Sequence, residues 1–313
     1  MRGKRCISYY SLNRRSQMST ISEFHLNLHQ PDRPQFRVYE LENYLQEHGK
    51  QATKPHTHSF YQIVWFRSGE GKHFIDFKEY AVTANTLFFI AKNQVHNFDH
   101  EDGYTGTLIH FNESFLVQQN SETEFFLKHA LFNNPYQQPW HCMDCTISPI
   151  LDEYLKLIEK ELTGGNDFGR EELLRSYLKA FLIQVQRSKN ELEKAGEQRH
   201  LQMDEQRVRL SQFINLIDDN YQRGLTVAEY ADSLHVSTRT LSNLTNRLLG
   251  KTPMQMIQER IILEAQRLLL YSGLNINQIG YKLGFDDPSY FVKYFKKHAK
   301  IAPSEFRHAY KEA

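Results

Sequence analysis

The C-terminal third of the chain contains one pattern twice, and this repeat limits the possible folds more than any other feature. The segment 225–234 (LTVAEYADSL) resembles 275–283 (NINQIGYKL), so that Ala231 aligns with Gly280 at an offset of 49 residues. One extra residue enters at the following turn, and the offset is 50 thereafter. A period of this size indicates a duplicated supersecondary unit. Each copy predicts a short helix, a tight turn and a second helix, which is the pattern of a helix-turn-helix.

The first copy carries residue types that begin helices. Thr226 and Glu229 have the spacing of a capping box, in which each side chain bonds the backbone amide at the other's position. Ser237 is a suitable N-cap for the second helix, which is predicted to run from Thr238 to about Leu249. The inner face of that helix is predicted to hold Leu241, Leu244 and Leu248.

The second copy is built alike. Asn275 caps its first helix with Gln278 three residues on, and Pro288 suits the first turn of its second helix, where a missing amide hydrogen is harmless. A long apolar helix, roughly Met254 to Tyr271, is predicted between the copies. The inward residues of the second helix of this copy are predicted to be Phe291, Tyr294 and Phe295.

Charge is divided unevenly along the chain. Residues 207–313 carry 15 Lys and Arg against 10 Asp and Glu, a net charge of +5, whereas residues 1–206 carry 23 against 27, a net charge of −4. Together they give the net +1 of the whole chain. Positive charge on the repeated region favours contact with phosphate.

The stretch 283–307 (LGFDDPSYFVKYFKKHAKIAPSEFR) resembles the signature of AraC/XylS-family transcription regulators. The resemblance covers roughly 210–310 and implies a bi-helix-turn-helix DNA-binding domain. Three positions depart from the family pattern: Lys293 replaces an Arg, Lys300 replaces a Gly, and Thr245 stands where an aromatic residue is common.

The resemblance and the helical pattern together give a set of residues expected to contact double-stranded DNA. Arg239 can pair with guanine and Asn243 with adenine, whereas residues such as Arg247, Lys251 and Lys296 suit phosphates. The full set is Arg239, Ser242, Asn243, Asn246, Arg247, Lys251, Pro288, Ser289, Val292, Lys293, Lys296 and Lys297.

The first half of the chain has a β-like pattern. Runs at 61–66, 74–77 and 86–90 are rich in aromatic and β-branched residues and are separated by turn clusters at 68–71 and 91–93. Many short strands at close spacing predict a jelly roll, a fold of two packed sheets.

Histidines within these strands resemble the motifs of cupins. His56 and His58 with Gln62 follow the first motif, HxHxxxE, except that an amide replaces the Glu, and His96 resembles the lone His of the second. Because an amide is a poorer ligand than a carboxylate, a metal site is the less favoured interpretation. The alternative is a set of polar residues that line a barrel mouth or are satisfied by the backbone, and no metal and no cofactor are expected. AraC-type regulators carry a cupin-like sensor for a small effector. The resemblance therefore implies a set of residues that contact such a ligand: His56, His58, Tyr61, Gln62, Trp65, His96 and Phe98.

The remaining segments suggest roles of their own. Two amphipathic helices after the β region serve either for packing on the cupin or as a dimer interface. Cys142 and Cys145 form a CxxC, which is either a redox pair or two ordinary thiols. No apolar run approaches a membrane span, and three cysteines fit a reducing cytoplasm.

The sequence therefore predicts a multidomain α+β protein, with an N-terminal cupin-like β jelly roll plus a helical hairpin and an all-α C-terminal domain. The expected divisions are a basic disordered tail (1–22), a sensor (23–148), a helical dimerisation element (149–190), a linker (191–206) and the DNA-binding domain (207–313). The expected function is an effector-responsive, cytoplasmic transcription regulator, a homodimer that contacts promoter DNA and RNA polymerase. The alternative is a metal-dependent cupin enzyme fused to a DNA-binding domain.

Overall fold

A computed structural model describes residues 22–26, 35–100, 102–117, 122–132, 138–144, 146–165, 167–194 and 201–311. The described residues form two compact units, 22–194 and 201–311. The expected tail lies outside the described residues except for Ser22, which begins a strand.

The first unit consists of two five-stranded sheets with helices along one of them. The strands are β1 (Ser22–Phe24), β2 (Phe36–Glu40), β3 (His56–His58), β4 (Tyr61–Ser68), β5 (Gly71–Ile75), β6 (Lys78–Val82), β7 (Thr86–Ile90), β8 (His96–Phe98), β9 (Thr105–Phe111) and β10 (Trp140–Cys142). One sheet has the order β1-β3-β8-β5-β6 and the other β10-β7-β4-β9-β2. The predicted two-sheet β domain is confirmed.

Five helices complete this unit: α1 (Leu41–Ala52), α2 (Glu113–Leu116), α3 (Glu122–Leu131), α4 (Ser148–Thr163) and α5 (Arg170–Lys194). Successive side chains of a strand point to opposite faces, so the central strand β4 contributes to two cores. Val64 and Phe66 belong to a core between the sheets. Ile63 and Trp65 belong to a second core, which α4 and α5 complete with residues such as Phe181.

The structure differs from the predicted strand at 74–77, because the strand β5 ends at Ile75. Asp76 and Phe77 both have positive φ angles, 45° and 65°, and form the two-residue turn to β6. Two central residues with positive φ are the hallmark of a hairpin turn that matches the twist of its strands.

The second unit is all helical. Its helices are α6 (Leu201–Asn220), α7 (Val227–Ser233), α8 (Thr238–Leu249), α9 (Pro253–Tyr271), α10 (Ile276–Lys282), α11 (Pro288–Ala299) and α12 (Pro303–Lys311), with a single 3₁₀ turn at Tyr221–Arg223. The capping boxes at Thr226 and Asn275 and the cap at Ser237 are present. Both predicted helix-turn-helix units are therefore formed, as α7–α8 and α10–α11.

The expected linker at 191–206 is largely helical where it is described. Helix α5 continues to Lys194 and α6 begins at Leu201, while 195–200 lie outside the described residues. The segment is rich in Glu, Lys, Arg and Gln, which are good helix formers as well as polar residues. Polarity alone therefore did not distinguish a linker from a helix.

No helix within the described ranges is both long enough and apolar enough to span a lipid bilayer.

Candidate DNA-binding face and candidate ligand site

Helices α8 and α11 present matching faces. Over 241–250 and 291–300 the order of buried, half-buried and exposed residues is identical at every position. Leu241 and Phe291 are fully buried at corresponding places. The repeat seen in the sequence is therefore a repeat of packing, and it leaves the same face of each second helix uncovered.

The sequence-predicted DNA contacts lie on these two faces at corresponding positions. Five pairs are separated by 50 residues, and in each pair the two members have the same degree of exposure. The pairs are Arg239 and Ser289, Ser242 and Val292, Asn243 and Lys293, Asn246 and Lys296, and Arg247 and Lys297. Ser242 and Val292 are half-buried and the other eight are exposed, so all ten can reach a partner.

The two remaining candidates differ from these pairs. Pro288 is the first residue of α11, where Asp287 accepts a hydrogen bond from the amide of Ser289 and caps the helix. Lys251 lies after α8 and its ammonium is 2.7 Å from the carboxylate of Glu259. A phosphate at Lys251 would therefore compete with an existing, solvent-accessible ion pair.

Close packing at the crossing of the two helices fixes the orientation of each second helix. A Cβ atom at Gly280 would lie 3.2 Å from the Cβ of Phe291, so α10 and α11 approach as closely as a glycine permits. Ala231 occupies the same place in the first unit and is also buried. Small residues at both crossings explain why the two second helices present the same face.

The first unit holds a cluster of histidines between its sheets. His56 and His58 on β3 and His96 on the neighbouring strand β8 each offer one ring nitrogen, and these three atoms lie within 4.8 Å of one another. The Nε2 atom of His96 is 3.2 Å from Nδ1 of His58. The structure thus brings together three of the seven predicted ligand contacts.

Two further histidines, which are not among the predicted ligand contacts, join this cluster. Nε2 of His73 is 3.3 Å from Nδ1 of His96, and the ring of His110 lies 6.0 Å from that of His58. The alternation of β strands was the available indication, because His73 shares a face with Ile75 and His110 with Leu108, both buried between the sheets.

All five histidines are neutral at neutral pH because burial disfavours the charged imidazolium. Burial lowers the pKa of His56 to about 4 and those of His73 and His110 to about 3. The pKa values of His58 and His96 are also lowered, first by burial and then by the neighbouring histidines.

Gln62 and Phe98 face the same interior as the histidines. Gln62 pairs with His110 across the β4–β9 ladder, so the two side chains are neighbours on one face. Neither amide atom of Gln62 has a hydrogen-bond partner among the described residues. Phe98 contacts His73 with ring centroids 4.7 Å apart. A buried amide without hydrogen-bond partners is unusual, which keeps Gln62 a candidate ligand contact.

Tyr61 and Trp65 do not line this interior, so the structure separates them from the histidine cluster, and their contact with a ligand stays a prediction. Both lie on the opposite face of β4 in the core formed with α4 and α5. Trp65 packs against Phe181 with ring centroids 6.0 Å apart and lies under the guanidinium of Arg67 at 3.2 Å. The sequence-based set took residues from both faces of one strand.

Two further residues of the first unit lie outside the cluster. His100 lies away from it, half-exposed, with its ring stacked on Tyr104 at 4.4 Å and its Nδ1 atom 2.8 Å from Asp99. Cys142 is an exposed free thiol on β10, and Cys145 lies outside the described residues. The redox reading of the CxxC stays a hypothesis.

Comparison with known families matches both units. The model of the AraC-like ligand binding domain matches residues 40–178, and the model of a helix-turn-helix domain matches residues 230–309. These ranges contain the histidine cluster and the two matching helices respectively. The chain is a transcription regulator with a ligand-binding domain and a helix-turn-helix DNA-binding domain, and it belongs to the AraC/XylS family.

Curated relatives include the HTH-type transcriptional activator RhaS of Pectobacterium carotovorum subsp. carotovorum (strain PC1), which is 23% identical over 258 residues, 82% of this chain and 88% of the relative. RhaS of Escherichia coli (strain K12) is 22% identical over 255 residues, 80% of this chain and 86% of the relative. Among solved structures, ToxT from Vibrio cholerae is 17% identical with a TM-score of 0.41, covering 88% of this chain and 97% of ToxT. An AraC-type regulator from Chromobacterium violaceum is 29% identical with a TM-score of 0.30, covering 32% of this chain and 89% of that one.

Proposed function

We propose that the protein reads promoter DNA with α8 and α11 placed in successive major grooves on one side of the duplex. The observation that carries this proposal is the identical burial pattern of the two helices, in which eight of the ten corresponding side chains are exposed and two are half-buried. Two recognition helices from one chain suit two grooves about one helical turn apart.

The chemistry of these residues distinguishes those suited to base recognition from those suited to phosphate contact. On α8, Arg239 suits the two acceptors of a guanine and Asn243 suits the acceptor and donor of an adenine. On α11, Lys293, Lys296 and Lys297 suit phosphate oxygens, which set the register of the protein on the duplex. Sequence preference is therefore expected to depend more on α8, and general affinity more on α11.

The test is selection of preferred sequences from random duplex DNA by the full-length protein and its variants. Arg239→Ala is expected to relax the preference at one position, at a cost of about 1–3 kcal/mol for that base pair. Lys296→Ala is expected to weaken all sequences alike and to lower the salt dependence by about one counterion.

Arg187→Ala is the matched control, because Arg187 is an exposed arginine of the first unit. It is expected to leave both the selected motif and the salt dependence unchanged. An unchanged motif for Arg239→Ala would refute the base contact, and no enrichment by the wild-type protein would refute sequence-specific reading.

The first unit is proposed as the effector-binding sensor, with the ligand between the sheets at the histidine cluster.

The apolar side chains Ile150 and Leu157 on α4 and Leu173 on α5 are exposed, which supports a homodimer formed through these helices. The dimer would act on promoters in the cytoplasm through RNA polymerase. The family match and the curated relatives, which are transcription regulators, favour this role over the alternative of a cupin enzyme.

A further inference from the structure

Three ring nitrogens of the histidine cluster, one each from His56, His58 and His96, are arranged like the ligand atoms of a metal site. Two nitrogens that bind one ion at about 2.0–2.1 Å in tetrahedral geometry lie about 3.3–3.4 Å apart. The separation of 3.2 Å between Nε2 of His96 and Nδ1 of His58 is close to this value. The third nitrogen, from His56, lies within 4.8 Å of the other two. A small adjustment of side-chain angles therefore places all three around one ion.

The outer contacts of two of these histidines direct their lone pairs inward. Nδ1 of His56 is 2.8 Å from the carbonyl oxygen of Lys54, which can only accept, so this nitrogen carries the hydrogen and Nε2 is free to bind. Nδ1 of His96 is held by His73 at 3.3 Å, which leaves Nε2 of His96 toward the cluster when Nδ1 donates. Histidines that bind metals commonly donate their second nitrogen in this way.

A second, independent observation comes from Gln62. Its side chain is 1% exposed, and both amide atoms lack a partner within the described part of the chain. The ring nitrogens of the neighbouring His110 also lack partners there. The interior therefore offers unused oxygen and nitrogen atoms beside the three histidines.

We propose that His56, His58 and His96 bind one divalent first-row transition-metal ion between the sheets of the first unit. Gln62 and His110 then border the open side, where the amide oxygen or a small exchangeable molecule completes the coordination. Three imidazoles favour Zn²⁺, Co²⁺, Ni²⁺, Cu²⁺ or Fe²⁺ over Mg²⁺ and Ca²⁺, which prefer oxygen ligands. The site lies in the proposed effector-binding interior and is separate from the proposed DNA contacts. Co²⁺ uptake is measured without DNA or effector, so its failure overturns the metal site alone and leaves the proposals of DNA reading and effector binding standing.

The test uses untagged full-length protein that has been stripped with a chelator and titrated with Co²⁺ in the absence of DNA. The expected result is visible absorption typical of Co²⁺ bound by nitrogen, saturating at about one ion per chain and reversed by Zn²⁺. Elemental analysis gives the stoichiometry independently. Binding to the folded state alone is also expected to raise the melting temperature of the first unit.

His96→Asn and His58→Asn are expected to weaken Co²⁺ binding at least about tenfold, whereas His100→Asn, a half-exposed histidine outside the cluster, leaves it unchanged. Gln62→Glu adds an anionic ligand without removing a ring, and is expected to tighten binding and shift the Co²⁺ spectrum. This variant keeps the test decisive if a histidine variant does not fold, which circular dichroism reports. Wild-type protein that takes up no stoichiometric Co²⁺, or His96→Asn protein that is folded and binds as tightly as wild type, would overturn the proposal.

Discussion

At the scale of single residues, the turn of the second helix-turn-helix depends on a glycine. Gly284 has φ +85°, and a Cβ atom there would overlap the carbonyl oxygen of Gln222. Gly284→Ala is therefore expected to destabilise the second unit by more than the about 1–2 kcal/mol that positive φ alone costs. Urea denaturation of the full-length protein measures the change.

Gly250→Ala separates the two causes, because Gly250 has φ +64° but no atom lies within 4 Å of the added Cβ. We expect this control to lose only about 1–2 kcal/mol. Equal losses for the two variants would show that the contact with Gln222 is unimportant.

The position equivalent to Gly250 in the second unit is Lys300, which ends α11 with φ +68°. Lysine is strained in this conformation and glycine is not. Lys300→Gly is expected to raise the free energy of unfolding by about 0.5–1 kcal/mol, and the reciprocal Gly250→Lys to lower it by a similar or larger amount. A stability gain from Gly250→Lys would contradict this account of the two helix ends.

At the scale of elements, the helices of the second unit were predictable because local chemistry determines where they begin. The caps at Thr226, Ser237 and Asn275 are in the sequence, and each forms the expected bond. Strand β4 was predictable as a strand but its faces were not. Tyr61, Gln62 and Trp65 are all about equally buried, and only the positions of α4 and α5 show which of them face the interior between the sheets.

The covering of β4 by α4 and α5 should contribute strongly to the stability of the first unit. Phe181 on α5 is fully buried against Trp65. Phe181→Ala is expected to cost about 3–5 kcal/mol, because it leaves a large cavity in this core. Thermal unfolding of the full-length protein is the measurement.

Phe168→Ala provides the matched control. Phe168 lies in the same unit, in the segment that connects α4 to α5, and is fully exposed. Its removal is therefore expected to change stability little. A comparable loss for both phenylalanines would mean that α5 does not cover β4 as described.

At the scale of the whole molecule, the proposed homodimer depends on apolar side chains that α4 leaves uncovered. Leu157→Lys places a charge on this face and is expected to shift the protein toward monomers at low micromolar concentration. Analytical ultracentrifugation gives the molecular mass. Glu159→Lys places a lysine at another exposed position of α4, with a larger change of charge, and should leave the mass unchanged.

A dimer mass for both wild type and Leu157→Lys would place the interface elsewhere, and a monomer mass for wild type would refute the homodimer.

The sequence predicted two domains from the short strands of its first half and the repeated capped helices of its last third. It did not predict five histidines around one interior, because residues 56 and 110 come together only when both sheets are formed.

The matching faces of α8 and α11 have one more consequence. They have the same pattern of burial but different chemistry, since Ser, Asn and Arg side chains on one correspond largely to Val and Lys side chains on the other. In the proposed interface, one chain would therefore recognise a base sequence that is not palindromic. A site of this kind has a direction, so each chain of the proposed homodimer would sit on its own site in one orientation only and would present the same side along the duplex each time.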